Sequence, residues 1–237
     1  WYRRAAEQDH AEAQCALGMM YKNGLGVEQD DAETFKWLKK AAEQSYAQAQ
    51  YALGMMYNQG LSIERDDAEA VKWYRKAAVQ DYADAQFILG WQYEEGQGVE
   101  QDYAEAVKWC CKAAGQGHAD AAKWMRRSAE QELAEAQDQL GLAYFYGEWV
   151  EQDDEEAVKW FSKAAEQEHP DAQLNLGWMY EVGRGVEQDD VEAVMWYHKA
   201  ADQGDARAQC NLGFAYAEGR GMEEDDKEAV KWFSKAA

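Results

Sequence analysis

The chain has 237 residues, a formal net charge of −22, 11 tryptophans and 47% hydrophobic residues. That balance excludes a disordered acidic tail, and the acid excess argues against nucleic acid, whose phosphates need clustered Lys and Arg. No stretch approaches the ~20 consecutive apolar residues of a membrane span, and the single proline, Pro170, leaves room for uninterrupted helices.

Two markers recur along the chain. Leu-Gly stands at Leu17-Gly18, Leu53-Gly54, Leu89-Gly90, Leu140-Gly141, Leu176-Gly177 and Leu212-Gly213, in steps of 36, 36, 51, 36 and 36 residues. A Trp-initiated segment starts at Trp1, Trp37, Trp73, Trp109, Trp124, Trp160, Trp196 and Trp232, in steps of 36 with one step of 15. A fixed period of this size means a solenoid or an array. Trp1 and the closing Ser234-Lys235-Ala236-Ala237 both sit inside the pattern, so the sequence reads as a piece of a longer protein.

Each unit reads as two helices. Over residues 82–117, Ala85, Leu89 and Tyr93 share one stripe. Gly90 invites a close backbone approach, and Gly96-Gln97-Gly98-Val99 ends the helix. Asp102 then reads as the N-cap of a second helix, with Glu105 as its capping-box partner. That helix ends basic, as at Lys39-Lys40 and Arg75-Lys76, so both ends oppose the helix dipole. Helices this short are unstable alone and must bury their stripes against the next pair.

The expected fold is all-α, an α/α superhelical solenoid stabilised by neighbour interfaces. It is expected as one domain, 1–237. Residues 1–9 are part of a second helix, 10–117 are three repeats, 118–132 a truncated hybrid, and 133–237 three repeats, the last incomplete. The hybrid opens like a first helix at Gly117-His118-Ala119-Asp120-Ala121 and ends like a second, giving one helix over about 119–131. It marks either a change of superhelical path or a deletion repacked by its neighbours.

Residues 47–78, AQAQYALGMMYNQGLSIERDDAEAVKWYRKAA, and residues 172–201 carry a unit that resembles the Sel1-like repeat, a relative of the tetratricopeptide repeat. The resemblance covers essentially the whole chain; Ser62 and Trp149 depart from it by replacing the second loop glycine. It implies a non-catalytic adaptor for other proteins. It also brings in, from distant members only, a cell-wall or β-lactam-directed enzyme. Those members carry regularly paired cysteines, whereas Cys15, Cys110, Cys111 and Cys210 follow no pairing pattern. They read as small unpaired thiols, which weighs slightly toward a reducing compartment.

Two surfaces are candidates for a partner. The loop segments that precede the second helices hold 25 of the 46 acidic residues. They form either an acidic ridge for a basic partner, as in an inhibitor or immunity-type protein, or N-cap chemistry repeated six times. The other surface is a stripe on the first helices, away from the helix-pair core. It holds Met19, Tyr51, Met55, Phe87, Trp91, Leu142, Leu174, Trp178 and Phe214, with Cys15, Asp138 and Cys210 at equivalent places. In related repeats the first helices line the concave face, so the stripe is either a protein or peptide groove or is covered by adjacent first helices. Asn175 and Asn211 are placed to hydrogen-bond a partner backbone. No metal site or cofactor is expected. His10, His118 and His169 share a turn position that Tyr46, Tyr82, Leu133 and Asp205 fill elsewhere, so they read as structural. Trp232 and Phe233 are expected to be left uncovered, which would favour end-to-end self-association.

Overall fold

The second helices begin where the sequence places Asp caps. The computed structural model describes residues 2–237; Trp1, the first Trp marker, lies outside the described residues. Among these the chain forms fourteen α-helices and falls into two compact units, one ending at Ala122 and one spanning Lys123–Ala237. The first unit holds α1 (Tyr2–Glu7), α2 (Ala11–Asn23), α3 (Asp31–Glu43), α4 (Ala47–Gln59), α5 (Asp67–Ala78), α6 (Ala83–Glu95) and α7 (Tyr103–Gly115). Helix α8 (Ala119–Glu130) is the hybrid and contains the division. The second unit holds α9 (Ala134–Tyr146), α10 (Asp154–Glu166), α11 (Pro170–Val182), α12 (Asp190–Asp202), α13 (Ala206–Glu218) and α14 (Asp226–Ala236). Within each unit a first helix packs on its own second helix, and that second helix packs on the following first helix. The architecture is a solenoid of paired helices.

Asp30, Asp66, Asp102, Asp153, Asp189 and Asp225 each accept the backbone N–H three residues on, at 2.8–3.2 Å. The expected capping box is only half formed. Each cap's own N–H already donates to a tyrosine carbonyl of the preceding first helix, as Asp102 does to Tyr93 at 3.0 Å. The Glu three residues on therefore turns outward: Glu105 pairs with Lys108 at 2.5 Å and accepts Trp109 Nε1 at 3.0 Å. The first helices end on left-handed glycines, from Gly24 to Gly219. Their starts explain the histidines. His10, His118 and His169 accept the N–H three residues on at Nδ1, 3.2–3.4 Å, as Asp205 does with a carboxylate at 2.9 Å.

The Leu-Gly glycine is a contact point between paired helices. A Cβ on Gly90 would lie 2.5 Å from Cys110 Sγ, and one on Gly177 would lie 2.7 Å from the Tyr197 ring. The motif's glutamines form a ladder that joins three helices per step. Gln50 donates to Ala42 O at 3.1 Å and accepts Gln80 Nε2 at 2.7 Å; Gln86, Gln137 and Gln173 repeat both bonds with Ala78 and Gln116, Ala129 and Gln167, and Ala165 and Gln203. On the second helices a lysine three residues on lies over each indole, with Lys76 3.8 Å above Trp73 and Lys235 3.7 Å above Trp232.

That last contact corrects one expectation. Trp232 is only 5% exposed, because Lys235 covers its face and His198 meets its edge at 5.5 Å; Phe233 is half-buried against Phe214. All four cysteines are free. Burial, with the Glu12 carboxylate adding to it, pushes the Cys15 thiol up to about 11, so it stays protonated at neutral pH.

Candidate functional site

The first-helix stripe is not continuous, because its two halves face different things. In α4 and α6 the residue two before the Leu-Gly leucine packs on the start of the next first helix. Tyr51 packs on the cap residue Tyr82 at 5.3 Å, and Phe87 stacks on the cap residue His118 at 4.7 Å. Leu174 is 8% exposed. The residue after each Leu-Gly stays more open: Trp91 is 40% exposed, Trp178 38% and Phe214 50%, while Met19, Met55 and Leu142 are half-buried.

In the second unit α9, α11 and α13 bring part of the stripe together. An open cavity of about 270 Å³ is lined by Leu142, Leu174, Asn175, Trp178 and Asn211, all expected from the sequence. Met19, Tyr51, Met55, Phe87, Trp91 and Phe214 do not line it. Its remaining walls include Phe145, Tyr146 and Arg207. Phe145 is held edge-on between Tyr146 at 4.8 Å and Trp178 at 5.5 Å, and Arg184 lies 4.1 Å over its ring. Arg184 is itself fixed by Asp154 at 2.7 Å. Sequence reasoning missed Phe145, Tyr146 and Arg207. Their signal is departure from the repeat: the positions of Phe145 and Tyr146 hold Lys22-Asn23, Asn58-Gln59 and Glu94-Glu95 in the first unit, and Arg207 stands where Glu12, Asp84, Glu135 and Asp171 stand.

The two asparagines are not both free for a partner. Asn175 Nδ2 donates to Asp138 Oδ1 at 3.0 Å, which leaves its carboxamide oxygen. Asn211 stands near the Tyr197 hydroxyl, which donates to Glu181 at 2.5 Å. Arg207 is neutralised by Asp171 and Asp205. Asp138 is 2% exposed and stands where the other units place an apolar residue. Burial raises its carboxyl to about 6, partly opposed by His169 and by the Asn175 bond.

This raised value has a stability consequence. Between about pH 4 and pH 6 the folded chain keeps a proton that the unfolded chain has already lost. Stability therefore falls as pH rises through that window and stays lower above it. Asp138→Asn should remove the slope and make the chain more stable than wild type at pH 8, by about 2 kcal/mol. Urea unfolding of both proteins at pH 4 and pH 8 measures this, and parallel pH profiles would contradict it.

The Sel1 repeat matches residues 1–10, 11–46, 47–82, 83–118, 119–133, 134–169, 170–205 and 206–237. One of these matches, 119–133, spans only 15 residues. A protective antigen of uropathogenic Escherichia coli displaying an SLR fold is 38% identical, over 100% of this chain and 47% of its own, with a TM-score of 0.49. The chain thus spans less than half the length of that antigen. A Sel1 repeat protein from Oxalobacter formigenes is 34% identical over 97% of this chain and 86% of its own, with a TM-score of 0.47. An immunity protein from Pseudomonas aeruginosa is 21% identical over 97% of this chain and 84% of its own, with a TM-score of 0.40, a likeness of fold alone. No curated protein matches the chain. With Sel1 repeats matched from one end of the chain to the other, the chain belongs to the Sel1 repeat family.

Proposed function

We propose that this Sel1 repeat scaffold is a non-catalytic binding protein that captures a segment of another protein in the first-helix groove of its second unit. The observation that carries this reading is the cavity between α9, α11 and α13, where Phe145, Tyr146 and Trp178 form an aromatic wall over Leu142 and Leu174. Aromatic side chains in a partly desolvated pocket are the usual energetic anchors of protein interfaces. The polar groups there are two amides, the Tyr146 hydroxyl and a carboxylate-paired guanidinium, with no serine, cysteine, lysine or histidine among the lining residues. That chemistry suits recognition better than turnover. The net charge of −22 adds a long-range preference for a cationic partner.

Affinity capture from native extract, with the retained protein identified by mass, tests the reading. Trp178→Ala combined with Phe145→Ala should reduce retention at least tenfold while the far-ultraviolet circular dichroism stays that of an α-helical protein. Equal retention by the variant and the wild type would reject the groove as the binding site.

A further inference from the structure

Helix α5 departs from the other second helices at its end. Where Val79 stands, the other units carry Glu7, Glu43, Gly115, Glu130, Glu166 and Asp202. The acid is gone, and the aliphatic side chain that replaces it is 65% exposed. One turn back on the same helix stand two basic residues, Arg75 and Lys76. Arg75 Nη2 donates to the Tyr93 hydroxyl, a neutral acceptor, and Lys76 Nζ lies 3.8 Å over the Trp73 ring. Among the described residues neither is paired with a carboxylate.

These residues border an open cavity of about 600 Å³ in the first unit. Its apolar surface includes Val71 and Val79 on α5 and Val99 in the loop before α7. That loop lies against the start of α5, where a Cβ on Gly98 would be 2.2 Å from Asp67 O, so Val99 is held beside the helix. The charged lining is Lys72, Arg75 and Lys76 against one acid, Glu69, which pairs with Lys72 at 2.8 Å. Three cations to one carboxylate reverse the balance of a chain whose net charge is −22.

We infer that this cavity binds a small monocarboxylate with an aliphatic tail, its carboxylate on Arg75 and Lys76 and its tail on the valines. Arg75 keeps N–H donors beyond the one given to Tyr93, and a charge-assisted bond to a carboxylate is stronger than the neutral bond it already makes. The valines call for an apolar tail, because covering them removes hydrocarbon surface from water. A single negative charge suits the site better than several. At physiological salt remote charges are screened beyond ~8 Å, so a compact monoanion feels chiefly these cations. A longer acidic segment would also meet Asp66 and Asp67 at the start of α5 and Glu100 beside Val99. The volume is of the size that holds a small ligand.

Octanoate, octanol and octylammonium share a tail and differ in the head. Titrated into the full isotope-labelled chain at pH 7, octanoate should shift the backbone amide resonances of Lys72, Val79 and Val99 at about tenfold lower concentration than octanol. Octylammonium, drawn to the acidic loops instead, should leave those resonances in place. Val79→Glu restores the residue that stands at Glu43 and Glu166, so the helix accepts it, and octanoate affinity should fall at least tenfold. Arg75→Ser, matching Ser162 and Ser234, should weaken octanoate and leave octanol unchanged. Octanol acting as readily as octanoate overturns the inference, as does octanoate binding of equal strength in wild type and Val79→Glu. Resonances that octanoate does not move overturn it outright. A blocked Leu-Glu-Leu peptide that displaces octanoate at lower concentration would give the cavity to a protein segment and overturn the small-ligand assignment. The groove of the second unit shares no residue with this cavity, so its reading is tested separately by Trp178 and Phe145.

Discussion

Replacing Gly185 with alanine is expected to destabilise the chain by about 3 kcal/mol or more, because two penalties meet there. The backbone is left-handed, at φ 68°, and a Cβ would lie 2.2 Å from the carbonyl oxygen of Asp154 at the start of α10. The obstacle is backbone, so no side chain can swing aside. Gly98 and Gly221 meet Asp67 and Asp190 in the same way. Gly204 supplies the control. Its φ is 93°, yet nothing lies within 4 Å of its Cβ position, so alanine there carries only the conformational cost, about 1 kcal/mol. Urea unfolding of the two variants measures the difference. Equal midpoints would show that the loop can lift off the neighbouring helix, which would remove the steric half of the argument.

Gln137→Glu is expected to cost about 3 kcal/mol at pH 8 and to recover most of that loss below pH 5. Gln137 is buried, donates to Ala129 O at 3.0 Å and accepts Gln167 Nε2 at 2.7 Å. A glutamate keeps the acceptor and aims a second oxygen at the carbonyl, where a donor is required. Protonation restores a donor of nearly the same shape, so the folded state raises the pKa of the introduced carboxyl. A carboxyl whose folded pKa is raised loses stability as pH rises, so the damage appears at high pH. Guanidinium unfolding of the variant and wild type at pH 4.5 and pH 8 tests this, and a loss of equal size at both values would point to packing instead.

The fold was legible because its period is written in residues that the stack needs. Leu-Gly marks the close approach of paired helices, and Asp102 with its five equivalents marks where second helices begin. The ladder was not legible, although its glutamines stand in the motif. A glutamine's partners are set by three helices meeting in space, and Ala42 O and Gln80 are not adjacent to Gln50 along the chain. The half-formed capping boxes show the same limit: Glu105 stood at the right spacing, but the Asp102 amide was already bonded to Tyr93. At the groove, Leu142, Leu174 and Trp178 came from the helical angle, Asn175 and Asn211 from their place before the leucine, and the choice of face from the resemblance to related repeats. The single stripe divided because Tyr51 and Phe87 reach the caps of the following helices, a contact that depends on how one repeat sits on the next. Phe145, Tyr146 and Arg207 escaped because they belong to one repeat and not to the pattern.

That last distinction bears on how such a molecule acquires its partners. Phe145, Tyr146 and Arg207 in the cavity wall come from positions that the 36-residue ruler leaves undetermined, whereas glycines, caps and glutamines occupy the positions it fixes. Recognition and framework therefore draw on separate sets of letters within one repeated word. New surfaces can be written into any unit by changing a few outward letters, with the frame underneath left as it was.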